Sequence, residues 1–170
     1  MTVSETESAA PPGSLARPRL SLTRVFAAPV DRVWEAWARP EEMVLWLGPV
    51  EWPASEVQAD LRVGGAWRAS LRARDGADVL WQSGQYLDVD PPNLLRFTFR
   101  WDSPNHEDAG VETVVTVSFE RLESGRTRLT LIQEGLPSER GVGTHAHGWG
   151  STLDRLGGHL QRDGDDGPCI

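Results

Sequence analysis

The chain has no lysine, and one cysteine in 170 residues. Without lysine there is no Schiff-base chemistry on an amine side chain and no lysine-bearing phosphate loop. Cys169 stands alone beside the C-terminus, which excludes an internal disulfide and a structural thiolate metal site. Long apolar runs are missing too, and Glu5 and Glu7 occupy the place where a secretory leader carries basic residues. A soluble, cytoplasmic protein is the expectation. All 17 basic residues are arginine, and 25 acidic residues outnumber them to give a formal net charge of −8, which speaks against nucleic acid or an anionic membrane as the main partner, since both need a clustered basic surface. No nucleophile elbow surrounds any serine, so acyl-transfer chemistry of that type has no support.

What is present fits one domain. Residues 1–18 are Ser, Thr, Glu, Ala and Pro without apolar periodicity, and 161–170 is rich in Asp and Gly. Both segments read as disordered or flexible tails around a folded part at 19–160.

Inside that part, apolar and polar residues alternate. Leu95, Phe97, Phe99 and Trp101 face one way, Leu94, Arg96, Thr98 and Arg100 the other. Trp67, Ala69, Leu71 and Ala73 repeat the pattern, as do Val115, Val117 and Phe119, then Leu129 and Leu131. Gly64-Gly65, Asp75-Gly76, Pro91-Pro92-Asn93 and Ser124-Gly125 supply turns between them. The predicted order is a strand at 19–27, helices at 30–38 and 40–46, six strands from about 54 to 135, and a helix from about 138 to 160. That is an α+β chain built on an antiparallel sheet.

The last helix carries one apolar stripe: Val142, His145, Trp149, Leu153, Leu156 and Leu160. It also contains Gly141, Gly143, Gly148, Gly150, Gly157 and Gly158, each costing about 1 kcal/mol relative to alanine inside a helix. Tertiary packing must therefore hold it, and the missing side chains either admit close backbone approach or leave a void beside the sheet. A void lined by the apolar sheet face is a ligand cavity.

Several of these segments taken together resemble a known superfamily. They are Ala28-Pro29 with Val33-Trp34, Pro40-Glu41 with Trp46, Val63-Gly64-Gly65-Ala66-Trp67-Arg68, Gly84-Gln85-Tyr86, Pro91-Pro92, and His145-x-x-Gly148-Trp149. The resemblance is to the SRPBCC, or START-like, superfamily, and within it to the branch of homologues of the activator of the 90-kDa heat-shock protein ATPase. It spans about residues 20–160. It implies a helix-grip fold: a curved antiparallel sheet of about seven strands around a long C-terminal helix, two short helices after strand 1, and a deep hydrophobic cavity. Function does not follow, because the superfamily includes lipid carriers, hormone receptors, polyketide cyclases and oxygenase subunits.

Eight tryptophans stand against one tyrosine. Trp46, Trp67, Trp81, Trp101 and Trp149 lie on or beside elements expected to face the cavity, with Phe97, Phe99 and Leu153 completing the expected ligand-binding set. Singly each ring reads as core packing; together they favour an aromatic or polycyclic ligand. His145 is the best polar candidate, able to orient a ligand or move a proton. Its alternative is a core or cap histidine bonded to backbone. His147 lies about 200° around the helix from His145, so the two do not chelate one metal. Arg24 shares strand parity with Leu20, Leu22 and Phe26 and is a candidate for the cavity wall. Gly141-Val-Gly143 matches a loose dinucleotide pattern but lacks a following parallel strand, and Glu41 and Glu42 at a helix start suit the helix dipole.

The favoured reading is a protein that binds a hydrophobic small molecule, with no metal or cofactor implied and a homodimer left open. The alternatives are a cyclase- or lyase-type enzyme using His145, and a co-chaperone-like module that docks on a heat-shock ATPase through Arg68, Arg72 and Arg100.

Overall fold

A computed structural model describes residues 18–165. The two-residue alternation becomes an antiparallel sheet with one dry face. The strands are β1 (Leu20–Phe26), β2 (Ala54–Ala59), β3 (Ala66–Arg72), β4 (Val79–Asp90), β5 (Leu94–Trp101), β6 (Thr113–Arg121) and β7 (Thr127–Glu134). They form one curved seven-stranded sheet in the order β1-β7-β6-β5-β4-β3-β2. The first strand thus pairs with the last, Leu20 opposite Gln133 and Phe26 opposite Thr127. Leu95, Phe97 and Phe99, then Val115, Val117 and Phe119, then Leu129, Leu131 and Gln133, are all buried on the inner face.

Three helices cover that face. Helix α1 (Val30–Ala38) buries Val33, Trp34, Ala36 and Trp37, and α2 (Pro40–Trp46) starts on a proline, where the missing N–H is no loss, and carries Glu41 and Glu42 in its first turn. Helix α3 (Glu139–Asp165) begins where the Ser138 hydroxyl accepts the Gly141 N–H at 3.0 Å. Its stripe is buried from His145 through Trp149, Leu153 and Leu156 to Leu160. Trp149 fixes the helix to the sheet. Its ring stacks on Trp37 with centroids 6.3 Å apart, and its indole N–H donates to Gln133 Oε1 at 3.0 Å. Gln133 Nε2 donates in turn to the Thr113 hydroxyl at 2.8 Å, which donates to the Phe99 carbonyl at 3.1 Å. No helix among the described residues is long and apolar enough to cross a membrane.

Two details depart from or sharpen the expectation. The helix does not end at Leu160 but runs to Asp165. The reason is electrostatic: Arg32 donates to Asp163 at 2.7 Å and also pairs with Glu42, which meets His159 at 2.7 Å, tying the end of α3 to α1 and α2. The expected N-terminal tail, apart from Pro18, and residues 166–170 with Cys169 lie outside the described residues. Gly84, opposite Trp67 in register, has no room for a Cβ, which would overlap the Thr98 carbonyl. Its bareness lets the Trp67 indole cross β4 and donate to Thr98 O at 3.0 Å.

Gly84→Ala should therefore destabilise the protein by about 3 kcal/mol or more, because a backbone carbonyl and a buried ring must both move. A denaturant midpoint unchanged by the substitution would contradict this.

The second expectation concerns acid. Burial alone would push the Glu42 carboxyl up, but hydrogen bonds from Arg32 and His159 and their charges outweigh it and hold it below its ordinary 4.5. The folded state then binds fewer protons than the unfolded chain, so this contribution is complete above about pH 4.5 and fades as pH falls through the lowered value. Urea midpoints measured down the acid range should drop less steeply for Glu42→Gln than for the parent. Parallel curves would show that the cluster contributes nothing.

Candidate functional site

Between the sheet and the N-terminal half of α3 lies a cavity of about 390 Å³. Its walls come from four sources: Leu47, Pro49 and Trp52 of the segment after α2; Leu71, Leu80 and Gln82 of β3 and β4; Phe99 and Trp101 of β5 with His106 beyond; and His145, Gly148, Trp149 and Thr152 of α3. Exposed Glu51 and His147 meet across the rim at 3.4 Å. The segment after α2 is held down by Arg155 of α3, which donates to the carbonyls of Leu47 and Gly48 at 2.8 Å and of Leu45 at 3.1 Å. Gly148 lines the cavity, and a Cβ there would meet nothing within 4 Å. Part of the open volume is the side chain that α3 leaves out.

Phe99, Trp101, His106 and His145 form a ring cluster on one wall. His106 stacks on Trp101 at 4.2 Å with planes 13° apart, and Phe99 packs edge-on against Trp101 at 5.4 Å and His145 at 5.8 Å. His145 Nε2 lies 3.1 Å from the Trp101 indole N–H, which can only donate. Nε2 is therefore the acceptor, the proton sits on Nδ1, and it is donated to the Gly141 carbonyl at 2.9 Å. Both nitrogens of a neutral imidazole are occupied, which is the backbone-bonded core role. Neither nitrogen is left to move a proton in the cavity. His106 accepts the Asp108 N–H on Nδ1 at 3.1 Å. Burial is the largest cause of its lowered pKa and outweighs the opposing charges of Asp108 and Glu107. The lowering favours its neutral form near pH 7.

Gln82 is 4% exposed, yet its amide has no hydrogen-bond partner among the described residues. It borders both the main cavity and a smaller void of about 20 Å³.

Of the residues expected from sequence to bind a ligand, the fold brings Phe99, Trp101, His145 and Trp149 together on the main cavity. Trp67 and Phe97 border only the smaller void. Trp46 is fully buried in solid core, donating its indole N–H to Ala36 O at 3.1 Å and packing on Trp37 at 4.8 Å. Leu153 is likewise fully buried and reaches neither space. Trp81 stands on the outer face, with the Arg68 guanidinium 3.8 Å from its ring centroid, because Leu80 and Gln82 take the inward positions of β4. Arg24 pairs with Asp154 of α3 at 3.3 Å, away from the cavity. Gln82, His106, Trp52 and Leu47 had not been expected. For Gln82 a signal existed: it shares parity with Leu80, Gly84 and Tyr86, a polar residue in an inward row. Among the described residues no group of His, Cys, Asp or Glu is placed to hold a metal ion.

A family model described as activator of Hsp90 ATPase homolog 1-like protein matches residues 27–161. Among solved structures, a protein from Chromobacterium violaceum is 28% identical, with a TM-score of 0.71 over 84% of this chain and 96% of that one. The AHSA1 protein from Silicibacter pomeroyi is 27% identical, with a TM-score of 0.74 over 86% of this chain and 99% of that one. A protein from Arthrobacter aurescens is 26% identical, with a TM-score of 0.74, covering 85% and 86% respectively. Comparison with the curated proteins gives no match.

Removing the imidazole should be felt as a loss of structure. His145→Ala leaves the Trp101 N–H and the Gly141 carbonyl without their partners, and stability should fall by about 1–3 kcal/mol. An unchanged denaturant midpoint would refute the anchoring role.

Proposed function

The chain belongs to the activator of Hsp90 ATPase homolog 1-like family, and from that premise we propose that it is a cytoplasmic binding protein for a hydrophobic, aromatic small molecule. The observation that carries this reading is the cavity itself, about 390 Å³ walled by the rings of Trp52, Phe99, Trp101 and Trp149 with few polar groups among them. That volume and character suit a flat ligand of two or three fused rings. A binding role without turnover is favoured over a cyclase or lyase, because the histidine that such chemistry would use is held at both nitrogens. Docking on a heat-shock ATPase through the outer sheet face has less support. Of the three arginines that would dock, Arg68 covers Trp81 and Arg100 pairs with Asp102, so two are already engaged within the chain.

Titration with uncharged bicyclic and tricyclic aromatic compounds should quench or shift tryptophan emission with saturation and roughly micromolar affinity, equivalent to about −8 kcal/mol. Gly148→Leu fills the cavity from a position where helix propensity improves. It should remain folded and lose at least about tenfold in affinity. Linear, non-saturating quenching of the wild type across the panel would remove the ligand-binding reading.

A further inference from the structure

Two glutamines are buried among the described residues, and their surroundings differ. Gln133 accepts from Trp149 through its oxygen and donates to Thr113 through its nitrogen, so it is part of the core's own bonding. Gln82 has the same groups and no such partners, although it is 4% exposed. Among the described residues the fully buried polar side-chain atoms without a partner are Trp37 Nε1 and Asp108 Oδ2, so the Gln82 amide, which is not one of them, reaches the open space of the cavity it lines. A ligand in that space can supply the bonds that the protein does not.

Placement supports this. Gln82 sits in the middle of the sheet, on β4 between Ala69 of β3 and Trp101 of β5, so its backbone is rigid and its side chain enters the cavity from the wall. Around it are Leu71, Leu80, Phe99 and Trp149. A carboxamide shows one acceptor and one donor side by side. Its best complement is a group with a donor and an acceptor side by side in the opposite order. A charged group does not suit the site: the carboxylate nearest the cavity is Glu51 at the exposed rim, no arginine lines the wall, and both inner histidines favour the neutral form. Burying an ion there would leave it unpaired.

We infer that Gln82 is the recognition group of the cavity and that its ligand is an uncharged planar aromatic molecule with a lactam-like edge, an N–H beside a C=O. This rests on the ligand-binding reading above. The apolar rings hold the ring system, and Gln82 selects for the edge through a pair of hydrogen bonds.

The test uses the full chain and three compounds of one skeleton: naphthalene, 2-quinolinone and 1-methyl-2-quinolinone, compared by equilibrium dialysis. Wild type should hold 2-quinolinone about tenfold or more tightly than naphthalene, and N-methylation should remove most of that advantage. In Gln82→Leu, which removes both hydrogen-bonding groups and leaves an apolar side chain, the preference should vanish while naphthalene binds at least as well as before. Equal binding of all three compounds by the wild type would overturn the role of Gln82 and leave a general hydrophobic pocket standing. Preference that persists in Gln82→Leu would do the same. Absence of binding by any of the three to the wild type would overturn this inference together with the ligand-binding reading.

Discussion

The ring of Trp149 is the contact on which the rest depends. Helix α3 cannot hold its own shape, since Gly141, Gly143, Gly148, Gly150, Gly157 and Gly158 each remove about 1 kcal/mol of intrinsic helix stability. What holds it is the sheet. Trp149 stacks on Trp37 of α1, packs on Phe99 of β5 at 6.2 Å, and donates to Gln133 of β7. Because the indole N–H has a fixed partner, the ring has one orientation, and the apolar plane it turns to the cavity is fixed with it. The same side chain therefore closes the core on one side and bounds the open space on the other.

Protein interiors usually close over such spaces. Here the elements that would have to move are each pinned by a polar contact. The segment after α2 is held by the fork of Arg155 on three carbonyls, a contact that needs the planar, many-donor guanidinium and that a lysine could not reproduce. The wall of β5 is braced by the sequence of rings from Phe99 through Trp101 to His106 and His145. Gly148 offers no side chain to fill the gap. A wall built this way is organised before a ligand arrives, so little ordering remains to oppose binding.

Strand order and helix positions were legible because they depend on period and turn chemistry, which are local. The strands predicted between 54 and 135 appear as β2 to β7, and the helices at 30–38 and 40–46 match α1 and α2. The end of α3 was not legible, since Arg32, Glu42, His159 and Asp163 meet only after folding. The site was readable in part. Rings in clean alternation, Phe99 and Trp101 of β5, were placed on the correct side, and so was the helical pair His145 and Trp149. Trp81 was not, because Val79-Leu80-Trp81 has no polar residue to set the phase, and the neighbour that decides it is Arg68 on the adjacent strand. Trp46 was assigned to the right face, but depth is a matter of three-dimensional packing. His106 lies in an irregular segment, where no periodicity carries information.

Charge shows the same division between local and assembled order. A chain with net charge −8 still places arginines along its sheet, and three of them find acids two to eight residues away in sequence, Arg100 with Asp102, Arg96 with Asp88 and Arg128 with Glu120. Exposed pairs of this kind contribute little to stability. The inner space, by contrast, has no ion in its walls beyond the rim pair of Glu51 and His147. Recognition inside the grip then falls to shape, to ring faces and to neutral hydrogen-bonding groups. Among the last, Thr152 is occupied by Gly148 O and His145 by Trp101 and Gly141. The Gln82 amide, on the wall of β4, offers the cavity both a donor and an acceptor.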